Sequence, residues 1–196
     1  MGKIVCLMGR SSSGKDTIYK RLIEQNQVAL QPIVPYTTRP IRAGEKEGVE
    51  YHFTDEAGYQ QLLSEGNIIE SRVYHTCLGM WRYFTVADEE IDLTNNSYVM
   101  IGTLASYEQM CLFYGADKVI PVMIELDDGV RLQRALDREK AQDQPKYEEM
   151  CRRFLADAED FSEEKIEKAQ ISRRFYNGDL DNCLEEITSY LLENIN

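Results

Sequence analysis

The chain has 196 residues, 43% of them hydrophobic, and a formal net charge of −12 from 22 Lys+Arg against 34 Asp+Glu. That length suits one core-bearing domain, and the acidic balance excludes bulk nucleic-acid binding, which calls for a basic surface. No stretch approaches the run of about 18 apolar residues that a membrane span requires, and the N-terminus lacks a signal-peptide pattern. Cys6, Cys77, Cys111, Cys151 and Cys183 are scattered with no C-x-x-C pair, which fits reduced thiols in a cytoplasmic protein. Residues 1–50 hold 8 basic against 5 acidic side chains, and the remainder 14 against 29. A small anion is therefore expected near the N-terminal third, with the acidic remainder a solvated surface.

The apolar run Ile4-Val5-Cys6-Leu7-Met8 predicts a buried strand over about residues 3–8. Gly9-Arg10-Ser11-Ser12-Ser13-Gly14-Lys15 follows, then Asp16, Thr17 and a helix to about Gln27. This is the G-x-x-x-x-G-K pattern between strand and helix, where glycines let the backbone curl round an anion. The amides of residues 10–16 are expected to point inward, with Lys15 reaching the outer phosphates of a nucleoside triphosphate. Asp16 stands where Ser or Thr usually binds magnesium.

A short strand is predicted at Ala29–Val34. From Tyr36 to Thr85 short β-type runs (Val49–Phe53, Ile68–Tyr74, Trp81–Thr85) surround one helix, about Asp55–Glu65, ended by Gly66. This texture reads as an inserted substrate-binding lobe. Strand and helix signals then alternate: a strand at Tyr98–Ile101, a helix over 104–114 ended by Gly115, a strand at Val119–Leu126 and a charged helix over 128–140. After the polar break Gln142–Lys146 come a long helix over 147–169, a strand at Ile171–Tyr176 and an amphipathic C-terminal helix. The alternation predicts an α/β architecture with a parallel sheet. Asp157–Glu167 reads as a solvated helix face. His52 and His75 read as strand neighbours of aromatic residues, and Trp81 with Arg82 as either core or pocket lining.

Tyr36-Thr37-Thr38-Arg39-Pro40-Ile41-Arg42-Ala43-Gly44-Glu45 and Gly48-Val49-Glu50-Tyr51-His52-Phe53 form a second constellation. Two arginines three apart can clamp a phosphate through guanidinium forks, or be ordinary surface charges. In its order after a phosphate loop, this string resembles the guanylate kinase family. Ile69-Glu70, Tyr83-Phe84-Thr85, the arginines Arg134, Arg138 and Arg153, and Asn177-Gly178-Asp179-Leu180 extend the likeness along nearly the whole chain.

The resemblance implies a P-loop three-layer α/β fold with a central parallel sheet, an inserted small mixed-β nucleotide-monophosphate-binding lobe and a helical lid. One guanylate-kinase-like domain is expected: core 1–35 and 97–196, lobe about 36–96, lid about 134–153. ATP is expected on Gly9, Arg10, Ser11, Ser12, Ser13, Gly14, Lys15, Asp16, Thr17 and Asn177. GMP is expected on Thr38, Arg39, Arg42, Tyr51, Glu70, Tyr83, Thr85 and Thr103. Glu70 would accept from the guanine N1–H and 2-amino group, a pairing that adenine's N1 acceptor would refuse. Lys15, Arg39, Arg134, Arg138 and Arg153 would carry catalysis by neutralising charge during phosphoryl transfer. The three lid arginines also have a competing role as helix-surface salt bridges.

Three departures stand out. The family's two acids at the L-D-I-D strand end are missing from Met100-Ile101-Gly102-Thr103; Pro35 replaces its phosphate-binding serine; Thr76–Arg82 is longer than usual before Tyr83, and Phe84 replaces a glycine. Asp16 is thus the candidate magnesium ligand, moved from strand to loop, or else a helix-start residue favoured by the dipole. The resemblance implies ATP and Mg2+ as cofactors, and GMP or dGMP as acceptor. A same-fold kinase for another phosphorylated acceptor, or a non-catalytic module binding a phosphoprotein, remains the alternative. Expected partners are small-molecule nucleotides, with neither nucleic acid nor membrane; oligomeric state is not legible.

Overall fold

The computed structural model describes residues 1–42, 44–76, 79–87 and 91–195. Five parallel strands form the central sheet in the order β2-β7-β1-β8-β9. They are β1 (Ile4–Met8), β2 (Leu30–Pro32), β7 (Ser97–Ile101), β8 (Val119–Glu125) and β9 (Arg174–Tyr176). Every residue of β1 is buried, because helices cover both faces; parallel strands so placed read as continuous apolar runs. On one face Val5, Leu7, Val99, Val122 and Ile124 pack on Ile18 and Leu22 of α1 (Lys15–Gln25) and Leu184, Ile187 and Leu191 of α7 (Leu180–Ile195). On the other, Ile4, Cys6, Met8, Met100 and Met123 pack on Leu104 and Met110 of α3 (Leu104–Tyr114). Phe161 and Ile166 join that second cluster.

Helix limits follow local chemistry. Thr103 accepts from Ser106 N and caps α3, which ends at Gly115. Asp127 accepts from Val130 N at the start of α4 (Asp128–Lys140). The long helix expected over 147–169 is two helices: α5 (Tyr147–Asp160) and α6 (Glu163–Lys168). Phe161 leaves helical geometry and Ser162 caps α6 by accepting from Lys165 N. The break drops the Phe161 side chain, 3% exposed, into the core; tertiary burial overrides helical spacing there. The segment expected as strand over Val49–Phe53 pairs as β4 (His52–Phe53) and through an isolated bridge of Tyr51 to Glu47, residues 48–50 forming a turn. The last strand also starts later than expected, at Arg174.

A second, mixed sheet has the order β4-β3-β6-β5. It comprises β3 (Tyr36–Thr37), β4, β5 (Ile68–Thr76) and β6 (Gly79–Val86). β5 and β6 are antiparallel, with Glu70 opposite Thr85, Arg72 opposite Tyr83 and Tyr74 opposite Trp81. Directly opposed residues share a face, so these six lie on one side. The other side carries Phe84, stacked on Tyr36 and edge-on to Tyr59 of α2 (Glu56–Ser64). A register shift between Ile68 and Glu70 marks a bulge. The bulge lets Ile69 join the core of the central sheet while Glu70 turns to the open face.

Phe84 is completely buried with Tyr59 and Val86 in a cluster of the lobe's own. Phe84→Ala is expected to cost about 3–5 kcal/mol, read as a lowered midpoint in denaturant unfolding.

Candidate functional site

The loop between β1 and α1 is built to hold its backbone against neighbours. Gly9 sits where a Cβ would lie 2.6 Å from the Ile124 carbonyl oxygen of β8, so the loop leaves β1 in contact with the adjacent strand. Gly14 has φ +92°, and a Cβ there would lie 2.2 Å from Asn177 Nδ2; only glycine meets both demands. Asn177 is 3% exposed and donates through Nδ2 to the Ser13 carbonyl oxygen at 2.7 Å. Asn177, expected beside ATP, thus also braces the loop from behind.

Not all the loop amides expected to point inward are available. Ser11 N donates to Asp157 Oδ2 at 2.7 Å, and Ser13 N to the Arg10 carbonyl oxygen at 3.2 Å. The amides of Ser12, Gly14, Lys15 and Asp16 have no protein acceptor among the described residues. Ser12 Oγ, Ser13 Oγ and Asn177 Oδ1 are buried without a hydrogen-bond partner among the described residues. The two hydroxyls and the unpaired amides are donors, and orphan donors at a helix start suit an anion, whereas Asn177 Oδ1 can only accept. Lys15 Nζ lies 3.7 Å from Asp16 Oδ2, with Lys15 largely buried and the Asp16 side chain 73% exposed. Thr17 is exposed beside it.

Residues the sequence reading passed over hold this loop. Arg131 on α4 is 2% exposed; its Nε donates to the Ser11 carbonyl oxygen at 3.0 Å and its Nη2 pairs with Asp157 of α5 at 3.1 Å. Its Nη1 pairs with Asp128, and its guanidinium lies 4.8 Å from the Phe154 ring centroid. Arg10 donates to the Phe161 carbonyl oxygen at 2.9 Å and pairs with Asp128. Asp157, expected on a solvated helix face, is thus a loop ligand with its side chain only 15% exposed.

The three lid arginines separate. Arg134 Nη1 lies 3.7 Å from where a Gly14 Cβ would be, so its guanidinium stands at the loop. Arg138, further along α4, is exposed. Arg153 donates to Glu149 Oε1 at 2.9 Å, beside Arg152, which holds both Glu149 oxygens. Arg152 above all, with Arg153 adding to it, pushes the Glu149 carboxyl down to about 2.

In the second sheet Arg39 is 3% exposed, and its fork is closed on Glu45 by two bonds of 2.8 Å. The fork expected to clamp a phosphate with Arg42 is thus occupied by a carboxylate of the same loop. Arg42 offers its backbone amide to Glu45 Oε2 at 2.8 Å, while its side chain is exposed. Arg39 Nε is buried without a partner among the described residues, and the Tyr51 ring lies 5.1 Å from the guanidinium carbon. The Tyr83 ring meets Tyr51 and Tyr74 edge-on at 5.6 and 5.4 Å. Thr38 Oγ1 accepts from Arg82 N, and Thr103 is committed to capping α3. Thr85 donates to Glu70 Oε1 at 3.0 Å; Glu70 is 6% exposed and also accepts from Arg72.

Arg82 lies on the opposite face, paired with Glu56 at 2.9 Å and over the Tyr59 ring, so it lines no pocket with Trp81. His52 contacts Glu47 and Tyr36, as a strand neighbour would. Ala43, Cys77 and Leu78 lie outside the described residues, as does the His75 side chain. Alternation along β5 could have flagged Arg72, two residues from Glu70 on one face. Nothing local pairs Arg131 with Asp157.

Breaking one partner of a buried pair leaves an uncompensated charge. Arg131→Ala is expected to cost about 3–5 kcal/mol and to weaken triphosphate affinity, measured by denaturation and by ATP titration. Arg131→Met with Asp157→Leu should recover the stability but not the affinity, since Ser11 still lacks its acceptor. Glu45 is held below its ordinary value of 4.5 chiefly by the Arg39 fork. A depressed carboxyl contributes stability fully above its ordinary value and loses it as pH falls through the lowered one. Hydrogen exchange at the Arg42 amide, corrected for intrinsic rate, should stay slow above pH 4.5 and quicken only in more acid solution; Glu45→Ala, which removes the acceptor, should abolish the protection at every pH.

The guanylate kinase family model matches residues 1–81. The guanylate kinase of Schizosaccharomyces pombe is 34% identical over 98 residues, 50% of this chain and 48% of that protein. That of Mycolicibacterium paratuberculosis is 40% identical over 86 residues, 44% of this chain and 37% of its own. The chain thus spans under half the length of these relatives. A crystal structure of guanylate kinase from Anaplasma phagocytophilum superposes with a TM-score of 0.65 at 23% identity, covering 100% of this chain and 87% of that one, a likeness of fold. The first 81 residues thus resemble the guanylate kinase family, and the likeness of fold extends along the whole chain.

Proposed function

We propose that the protein transfers the γ-phosphoryl group of ATP to a nucleoside monophosphate, GMP or dGMP, releasing ADP and the diphosphate. One observation carries the reading: four unpaired amides, the orphan Ser12 and Ser13 hydroxyls and Lys15 all fall within residues 12–16, where the loop enters α1. A polyphosphate satisfies donors so arranged, because a helix start and a curled backbone favour negative charge.

Residues 1–35 and 97–196 form the core in this reading, residues 36–96 the acceptor lobe and residues 134–153 the lid. Lys15 and the loop amides hold the donor β- and γ-phosphates. Arg39, Arg42, Tyr51 and Tyr83 take the acceptor phosphate, with Glu45 giving way to it on the Arg39 fork. Arg134 already stands at the loop; Arg138 and Arg153 close over the transferring group once Arg153 leaves Glu149. Positioning and charge neutralisation then supply the rate, with water excluded to prevent idle ATP hydrolysis.

No cluster of three metal-binding side chains occurs among the described residues. Magnesium in such sites commonly takes only one or two carboxylates besides phosphate oxygens. Asp16, exposed beside Lys15, fits that need with the Thr17 hydroxyl. The ion would neutralise charge on the β- and γ-phosphates. Among the described residues no helix is long and apolar enough to cross a membrane; we place the protein in the cytoplasm, where ATP and nucleoside monophosphates meet.

A coupled assay with ATP, magnesium and a panel of monophosphates tests the reading. Turnover should be greatest with GMP and dGMP, and absence of turnover with every acceptor would refute it. Asp16→Asn should lower turnover by about a hundredfold and flatten its magnesium dependence; a near-normal enzyme would return Asp16 to the helix dipole alone.

A further inference from the structure

Arg72 lies where the acceptor reading has no use for a cation. Its Nε donates to Glu70 Oε2 at 3.2 Å and its Nη2 approaches Glu70 Oε1 at 3.4 Å. Both side chains are on the open face of the lobe sheet, opposite Thr85 and Tyr83. Arg72 is close enough to Tyr51 for its charge to oppose the burial that raises the Tyr51 phenol. It therefore bridges the phosphate end of the lobe, Arg39 with Tyr51 and Tyr83, and the base end, Glu70 with Thr85. On the core side the pair faces the end of β1: burial raises the Cys6 thiol, and the charges of Glu70 and Arg72 both act on it.

A carboxylate has about four lone-pair positions. Thr85 and Arg72 Nη2 occupy Oε1, and Arg72 Nε occupies one position on Oε2. One place remains for a donor from a ligand, on Oε2, with the Arg72 guanidinium beside it as a donor. That arrangement complements a single ring N–H next to an exocyclic C=O. It opposes the reversed edge, a ring acceptor beside an amino group, at both positions. A second donor, such as a 2-amino group, needs another acceptor. The strand end near Cys6 supplies no carboxylate: a Cβ on Gly102 would lie 2.9 Å from Cys6 Sγ, and the Thr103 hydroxyl is already bonded to Ser106.

We infer that Arg72 is a specificity-determining residue that, with Glu70, reads the N1–H/C6=O edge of 6-oxopurine monophosphates, so that IMP is accepted nearly as well as GMP. This inference rests on reading the lobe as an acceptor site. Arg72 donates to O6, Glu70 accepts from N1–H, and the 2-amino group of GMP contributes little.

The test compares kcat/KM for GMP, IMP and AMP in the wild type, Arg72→Ala and Arg72→Gln, with thermal melts of each. The wild type should use GMP and IMP within about tenfold of each other and AMP at least about a hundredfold less well. Arg72→Ala should lower kcat/KM for GMP and IMP by about tenfold or more while narrowing their lead over AMP, with KM for ATP unchanged. Arg72→Gln keeps a neutral donor and should recover part of the loss. IMP more than about a hundredfold poorer than GMP, or an Arg72→Ala loss equal for all three acceptors, would overturn the assignment. Equilibrium binding of GMP, IMP and AMP without ATP reads the same ratios should turnover be absent, and so separates failure of this assignment from failure of the kinase reading. Because Arg72→Gln probes the same contact, a fold lost only in Arg72→Ala still leaves a deciding result.

Discussion

The phosphate loop keeps its shape because a buried guanidinium stands behind it. A loop of glycines and serines has no side-chain packing to hold it, and its amides must face outward to be useful. Arg131 supplies what the loop lacks, binding the Ser11 carbonyl oxygen and holding Asp157 where its carboxylate receives the Ser11 amide. Asn177 does the same for Ser13 from the other end of the chain. These contacts tie residues 11 and 13 to α4, α5 and the turn after β9. The loop is thus a product of the whole core, and its free amides are those the bracing leaves over.

The same economy appears wherever this acidic chain gathers positive charge. Arg39 is closed on Glu45, Arg72 on Glu70, Arg131 on Asp157, and Arg152 and Arg153 on Glu149. For the buried Arg39 and Arg131, pairing keeps a desolvated guanidinium tolerable, and it fixes the orientation of the fork. An arriving phosphate or base then meets arginines already held in place. The cost is competition, since a ligand has to share or displace a carboxylate. For Glu70 that sharing also limits how many donors a base can present, which links an ion pair to substrate choice.

Much of this was legible in the residue order because the signals are local. The G-x-x-x-x-G-K run after five apolar residues located the loop; Gly115 set the end of α3; the Arg39–Phe53 string and Glu70 carried the family likeness. Where expectation and structure part, a distant partner intervened. Phe161 broke the long helix because the core took its side chain. Asp157 looked like one more carboxylate on a charged helix until α4 delivered Arg131 to it.

Residue order alone determined which elements form, where the anion-binding backbone lies, and which residue types stand ready for a phosphate and a purine, since propensity, glycine geometry and spacing act over a few residues. Tertiary structure alone decided which of those charges are spent on one another. A guanidinium's role is set by the nearest carboxylate in space, and the residue that bears it can be 26 positions away, brought close only when α4 and α5 pack over the loop.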